Sequence, residues 1–77
     1  MPVYTVEKIY GSKWVYSEKA ANYREAKTRV QSITNGRILV NGHVVALKTT
    51  VDYYEFTPEK EHENLSRQPL KGFDVLR

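Results

Sequence analysis

The side chains best suited to chemistry in this 77-residue chain are two histidines and a run of carboxylates beside one of them. Glu59, Glu61 and Glu63 alternate around His62, and imidazole and carboxylate groups are metal ligands. A hard-metal site, however, needs a loop that converges its oxygens on one point. Thr57-Pro58, just before the run, is instead typical of a helix start. We therefore interpret the run as a solvated, charged helix end and predict no metal.

The remaining polar residues form no recognisable catalytic pattern. Cysteine is absent, and His43 and His62 fall in different predicted elements. Neither histidine has a hydroxyl or carboxylate residue at a spacing typical of a catalytic site. The four glycines are isolated, so there is no glycine-rich loop to hold a phosphate. We expect a protein that is not an enzyme and has no cofactor.

Composition places the chain among small folded domains. The hydrophobic fraction of 40% is ordinary for a folded protein. No apolar run approaches the roughly 18 residues that span a bilayer, and the N-terminus lacks the pattern of a signal peptide. Together with the absence of cysteine, which fits a reducing compartment, these features predict a cytoplasmic protein with no membrane partner.

Charge is separated along the chain, although the net charge is only +3. Residues 19–37 carry five basic side chains against one acidic residue, a balance of +4, and residues 52–63 carry five acidic side chains against one basic residue, a balance of −4. Such separation steers partners by the sign of their charge. The candidate binding residues lie in the basic segment: Lys19, Arg24, Lys27, Arg29, Gln31 and Arg37.

The basic segment is predicted to contain a helix from Tyr23 to about Ile33. Asn22 and Glu25 have the spacing of a capping box, and an apolar stripe recurs every three or four residues at Tyr23, Ala26, Val30 and Ile33. Asn35-Gly36 is expected to supply positive φ at the helix C-terminus. On a helical wheel, Arg24, Lys27, Thr28 and Gln31 lie together, away from the stripe. Such a face suits the phosphates of a nucleic acid or an acidic protein surface, and the sequence leaves both open.

Strand patterns surround the helix. Residues 3–10 and 13–17 are rich in β-branched and aromatic residues and predict one hairpin, and Asn41-Gly42 between two apolar runs predicts another. The chain from His43 to Phe56 is expected to be extended, with a break at Asp52 and a fifth strand after it. The fold class is therefore α+β, a small antiparallel β-sheet (strand-strand-helix-strand-strand) with one helix packed on a face. Residues 1–57 form this domain, and residues 58–77 form a less regular segment packed on it or on a partner.

The segment from Tyr23 to Val45 resembles the alpha-L RNA-binding motif of ribosomal and pseudouridine-synthase proteins. Its basic helix, followed by a glycine and the Val40-Asn41-Gly42 hairpin, carries the resemblance, which implies RNA bound by the helix. The chain departs from that family because its helix-to-hairpin spacing is about a turn longer and strands replace the family's first helix.

The layout of most of the chain is also similar to small phage-encoded proteins, including anti-CRISPR inhibitors, with strands followed by a helix that opens at Ala21-Asn22-Tyr23-Arg24-Glu25. That resemblance implies a non-enzymatic protein of phage or mobile-element type, which occludes a host nucleic-acid-processing complex, either a protein or a ribonucleoprotein. The alternative is a module that binds RNA or DNA directly through the basic helix face and the hairpin.

Four apolar side chains near the C-terminus, Leu70, Phe73, Val75 and Leu76, have no place in this scheme. They can pack on the chain's own sheet or on a second copy. The sequence favours a homodimer that shares this segment or a sheet edge.

Overall fold

The computed structural model describes residues 2–68, so the C-terminal apolar residues and the predictions that concern them lie outside the described residues. Within residues 2–68 the chain forms β1 (Tyr4–Tyr10), β2 (Lys13–Ala20), α1 (Tyr23–Gln31), β3 (Gly36–Val40), β4 (His43–Lys48), β5 (Tyr53–Glu55), a 3₁₀ turn (Glu59–Glu61) and α2 (His62–Ser66). The predicted α+β class is confirmed.

The strands form one antiparallel sheet in the order β2-β1-β3-β4-β5. The first strand of the chain therefore lies inside the sheet, between β2 and β3. The predicted break at Asp52 is part of a turn in which the Asp52 carbonyl accepts a 2.8 Å hydrogen bond from the amide of Thr49. This turn lets the chain reverse, so the predicted fifth strand pairs with β4.

The β3–β4 hairpin turns at the two residues that the sequence indicates. Asn41 and Gly42 have φ angles of 51° and 85°, and two consecutive residues with positive φ are typical of the type I′ turn that matches the twist of a hairpin. This turn sets the register in which Val40 faces His43.

The core lies between α1 and one face of the sheet. Asn22 begins the helix as predicted, because its side chain accepts a 2.8 Å hydrogen bond from the amide of Glu25. The predicted apolar stripe is buried: Tyr23, Ala26, Val30 and Ile33. It belongs to the same buried cluster as sheet residues that include Val6, Ile38, Val40 and Ala46. A nine-residue helix is too short to be stable alone, so this burial is what maintains it.

The role predicted for Asn35-Gly36 is wrong. The helix ends at Gln31 with Ser32 as its C-cap, and neither Asn35 nor Gly36 has a positive φ. Gly36 is needed for space instead, because a Cβ there would lie 3.0 Å from both the Glu7 carbonyl oxygen and a methyl group of Val30. A glycine at this position lets the end of α1 lie directly on the sheet.

A bulge in β4 breaks the alternation of its side chains. Ala46 pairs with Ile38 and Val44 pairs with Leu39, so Val45 is the additional residue. Val45 and Ala46 are both buried in the core, whereas Leu47 pairs with Arg37 on the other side of the sheet. We call that other side the open face, because neither α1 nor α2 lies on it; its apolar residues include Ile9, Trp14, Leu39, Val44, Leu47 and Tyr54.

We predict that Val30→Asp unfolds the domain. Val30 is completely buried, and an unpaired carboxylate in an apolar core costs several kcal/mol, on the order of the entire stability of a small domain. Thr28→Asp on the exposed side of α1 is the control. Circular dichroism during thermal melting should show a cooperative transition for the control and none for Val30→Asp; equal melting temperatures would mean that the stripe faces solvent.

Gly36→Ala should destabilise the fold by about 1–3 kcal/mol, because the added methyl group overpacks the contact between helix and sheet. Gly11→Asn in the β1–β2 turn is the control, since a Cβ there meets no atom within 4 Å and asparagine tolerates positive φ. Urea denaturation measures both variants. A midpoint for Gly36→Ala equal to that of the parent would refute the close approach.

Candidate functional site

The outward side of α1 carries the basic helix face that the sequence predicts, and the fold exposes it. Because Tyr23, Ala26 and Val30 are directed into the core, the helical period leaves the opposite side to solvent. That side lines an open cleft of about 420 Å³, which we call the helix cleft; its residues are Tyr23, Arg24, Lys27, Thr28, Gln31 and Glu59. The structure thus brings together three of the six predicted binding residues.

The positive charges in the helix cleft remain available to a partner. None of the ion pairs formed within residues 2–68 involves Arg24 or Lys27. The Lys27 ammonium group lies 5.1 Å from the centre of the Tyr23 ring, a cation–π contact that favours one orientation of the side chain and leaves the charge uncompensated. Glu59, from the 3₁₀ turn, places one carboxylate on the wall of the cleft.

Arg29 belongs to the same helix but its charge is paired within the molecule. Its guanidinium group donates a hydrogen bond to Glu18 of β2 and lies 3.5 Å from a carboxylate oxygen of Glu25. The bond with Glu18 is the main reason why the pKa of Arg29 is raised above its ordinary value. Arg29 therefore attaches α1 to the edge of the sheet.

The other two predicted residues lie on the open face. Arg37 Nε donates a 2.6 Å hydrogen bond to Glu7, and its guanidinium carbon lies 4.2 Å from the centre of the Trp14 ring. Lys19 pairs across the sheet with Thr5 and is exposed. The six predicted residues thus occupy two opposite surfaces and one intramolecular ion-pair cluster.

A cluster of rings that sequence patterns did not reveal lies behind the helix cleft. The Tyr4 hydroxyl is 2.9 Å from Nδ1 of His62, and Nε2 of His62 is 3.1 Å from the carbonyl oxygen of Thr57. Because a carbonyl only accepts, Nε2 donates to Thr57, and the tautomer with its hydrogen on Nε2 alone leaves Nδ1 as an acceptor for the Tyr4 hydroxyl. The Tyr23 and His62 rings pack edge to face with centroids 4.7 Å apart.

The interpretation of His62 as part of a solvated helix end is wrong. His62 is only 1% exposed, and both of its ring nitrogens have partners inside the protein. The sequence offers no signal for this burial, because His62 is flanked on both sides by glutamates. Within residues 2–68, no group of three or more histidine or carboxylate side chains is arranged to hold a metal ion.

The tyrosines of this region are held in their protonated form. Burial is the main cause that raises the pKa of Tyr4, Tyr23 and Tyr53; the hydrogen bond from the Tyr23 hydroxyl to Glu55 adds to the rise for Tyr23. A phenol that resists ionisation is a poor general base or nucleophile at neutral pH. The hydroxyl groups therefore act as hydrogen-bond donors that orient the rings.

No protein-family model, curated protein or solved structure was found to match this chain. The resemblances to the alpha-L motif and to phage inhibitors stay predictions. Among residues 2–68, no helix has the length and apolar character that crossing a bilayer requires.

The tyrosine cluster predicts a loss of stability in alkali. Above about pH 10 the unfolded chain releases phenolic protons that Tyr4, Tyr23 and Tyr53 keep in the folded protein. Because the folded state then binds more protons than the unfolded state, the free energy of unfolding falls as the pH rises further. Below about pH 10 these groups are protonated in both states, so they do not make the free energy of unfolding depend on pH.

Urea midpoints measured on both sides of about pH 10 test this expectation. Tyr23→Phe removes one of the three phenols, so the variant should lose less stability in alkali than the parent. The comparison also cancels the contribution of lysine deprotonation, which is common to both proteins. Identical alkaline losses in the two proteins would contradict the prediction.

Proposed function

We propose that the protein is a non-enzymatic inhibitor of phage or mobile-element type, which acts in the cytoplasm by occluding a host nucleic-acid-processing complex, such as a CRISPR-like nuclease. The observation that supports it is the helix cleft, where Arg24 and Lys27 are free of the described ion pairs. A rigid element that displays uncompensated charge suits recognition of a surface of opposite sign.

The composition of the cleft favours a protein surface over a bare phosphate backbone. Glu59 lies on its wall and would repel a phosphate placed against it. An acidic protein surface that also presents basic or hydrogen-bonding groups can satisfy Glu59 as well as Arg24 and Lys27. Thr28 and Gln31 add neutral donors and acceptors to the same cleft.

Direct binding of RNA or DNA is the second candidate. It is favoured by the arrangement of Arg24, Lys27, Thr28 and Gln31 in one cleft, because lysine, arginine, threonine and glutamine are among the residues that contact phosphates. This candidate requires an affinity that falls steeply with salt, in proportion to the number of phosphates neutralised. An inhibitor that reaches its target through the same residues is distinguished by the partner recovered.

The test is affinity capture from a bacterial lysate with matched charge-reversal variants. Arg24→Glu/Lys27→Glu alters the helix cleft, and Lys13→Glu/Lys19→Glu makes the same change in net charge on β2. All four side chains are solvent-accessible, so both variants should melt like the parent. We expect the helix variant to lose the captured proteins by at least about tenfold, which is the loss of one or two charge-assisted contacts.

The pattern of loss separates the hypotheses. Proteins that the parent and the β2 variant retain after nuclease treatment, and that the helix variant loses, support the inhibitor. Recovery of nucleic acid alone refutes the inhibitor and supports the second candidate. Full capture by the helix variant would show that the cleft is not the binding surface.

A further inference from the structure

Exposed apolar side chains gather at one edge of the sheet. In the sheet that residues 2–68 form, β5 is the last strand and pairs with β4 alone. Val51, Tyr54 and Phe56, which are 83%, 48% and 59% exposed, all lie in β5 or close to its ends. Phe56 directly follows β5, and the two-residue period of a strand places it on the open face with Tyr54. Apolar groups at an accessible edge strand are typical of a site where another strand is added.

The backbone of β5 presents hydrogen-bonding groups on its outer side. The amide of Phe56 donates a 2.9 Å hydrogen bond to the carbonyl oxygen of Val45 in β4. Because successive amides of a strand point in opposite directions within the sheet, the amides of Glu55 and Tyr53 point away from β4. Within residues 2–68 no strand lies on that outer side. These groups can therefore pair with the backbone of an added strand.

The opposite edge of the sheet has a protection that β5 lacks. Lys13 and Lys19 of β2 are exposed, and lysine on an edge strand opposes the addition of a further strand. β5 contains neither lysine nor proline, and its only protection is its length of three residues. A short strand forms few hydrogen bonds with a partner, so side-chain contacts must supply much of the affinity and the specificity.

Two carboxylates give the β5 edge a negative charge held in place by tyrosines. Glu55 accepts a hydrogen bond from the hydroxyl of Tyr23, and Asp52 accepts one of 3.2 Å from the hydroxyl of Tyr54. Neither carboxylate belongs to an ion pair formed within residues 2–68. Glu55 pairs with the core residue Ala46 and so lies on the helix side of the sheet. The two faces of this edge therefore differ, with apolar rings on the open face and a carboxylate on the other.

We propose that β5 accepts an extended segment of another protein in which basic residues alternate with apolar residues. The side chains of an added strand alternate between the two faces of the sheet. Such a segment therefore places its apolar residues beside Tyr54 and Phe56 and its basic residues beside Glu55. None of these three residues lines the helix cleft, so the proposal does not depend on the function proposed for that cleft.

A second copy of this chain fits the β5 edge less well than a basic segment does. Pairing two β5 strands would bring together two acidic segments, residues 52–63, each with a charge balance of −4. A strand of three residues also provides far less contact than the ~800 Å² that each partner buries in a stable interface. A phosphate backbone would be repelled by the same carboxylates.

Amide hydrogen exchange on the full chain tests the proposal, with a short peptide of alternating valine and lysine as the probe. We expect the peptide to slow exchange at Tyr53 and Glu55, whose amides point outward, and to leave Tyr54 and Phe56 unchanged. The same peptide methylated on its backbone nitrogens should give no protection, because it cannot donate to β5. No effect of the first peptide, equal protection by the methylated peptide, or protection of Tyr53 and Glu55 without any peptide would overturn the proposal.

The charge contribution is measured by the affinity of the same peptide for two variants. Glu55→Gln keeps an acceptor for the Tyr23 hydroxyl and removes the charge, so we expect the affinity to fall by about tenfold. Glu61→Gln removes an exposed charge from the 3₁₀ turn and should leave the affinity unchanged. A peptide of alternating valine and glutamate should not bind. Equal affinities of the two variants, or binding of the glutamate peptide, would contradict the assignment of a basic partner.

The apolar contribution has its own matched pair of variants. Phe56→Ser should weaken binding of the valine–lysine peptide by about tenfold, because an aromatic contact with the added strand is lost. Tyr10→Ser is the control, since Tyr10 is 75% exposed at the end of β1, which does not neighbour β5. If both variants bind the peptide equally well, the exposed rings beside β5 are not part of the binding surface.

Discussion

The packing of Tyr4, Tyr23 and His62 is the interaction on which the arrangement of the other elements depends. These rings come from the first strand, the main helix and the C-terminal helix, and Tyr4 and His62 are separated by 58 positions in the chain. Their hydrogen bonds and edge contacts hold three elements at one point of the core. The domain has a small core and no disulfide within residues 2–68. Long-range contacts of this kind must therefore hold the chain in a single arrangement.

The same packing determines which charges are presented to solvent. With the Tyr23 side of α1 turned inward, Arg29 lies beside β2 and pairs with Glu18, while Arg24 and Lys27 face outward. Arg37, although close to α1 in sequence, lies on the other side of the sheet with Glu7. The local charge of +4 is therefore divided by the fold, and only part of it forms a surface that a partner can reach.

Local patterns predicted most of the secondary structure. The Asn22 cap, the stripe from Tyr23 to Ile33 and the Asn41-Gly42 turn are short-range features, which depend on residues that are near neighbours in the chain. The function assigned to Gly36 was wrong because Asn-Gly suits both a helix end and a close packing contact. Only the approach of Glu7 and Val30 decides between them. The β4 bulge at Val45 likewise shows no sequence signal, because Val44, Val45 and Ala46 are all apolar.

The candidate site was predictable to the same extent. The sequence by itself determined that Arg24, Lys27 and Gln31 lie together on the outward side of α1. The apolar residues fix which side of the helix faces the core, and the helical period then places the other residues. It could not determine that Arg29 and Arg37 are neutralised by Glu18 and Glu7, or that His62 is buried. Those outcomes depend on which strands become neighbours and on which face each side chain lies. Both the neighbouring strands and the faces of the side chains are decided by pairing between segments that are distant in the sequence, and this pairing is visible only in the tertiary structure.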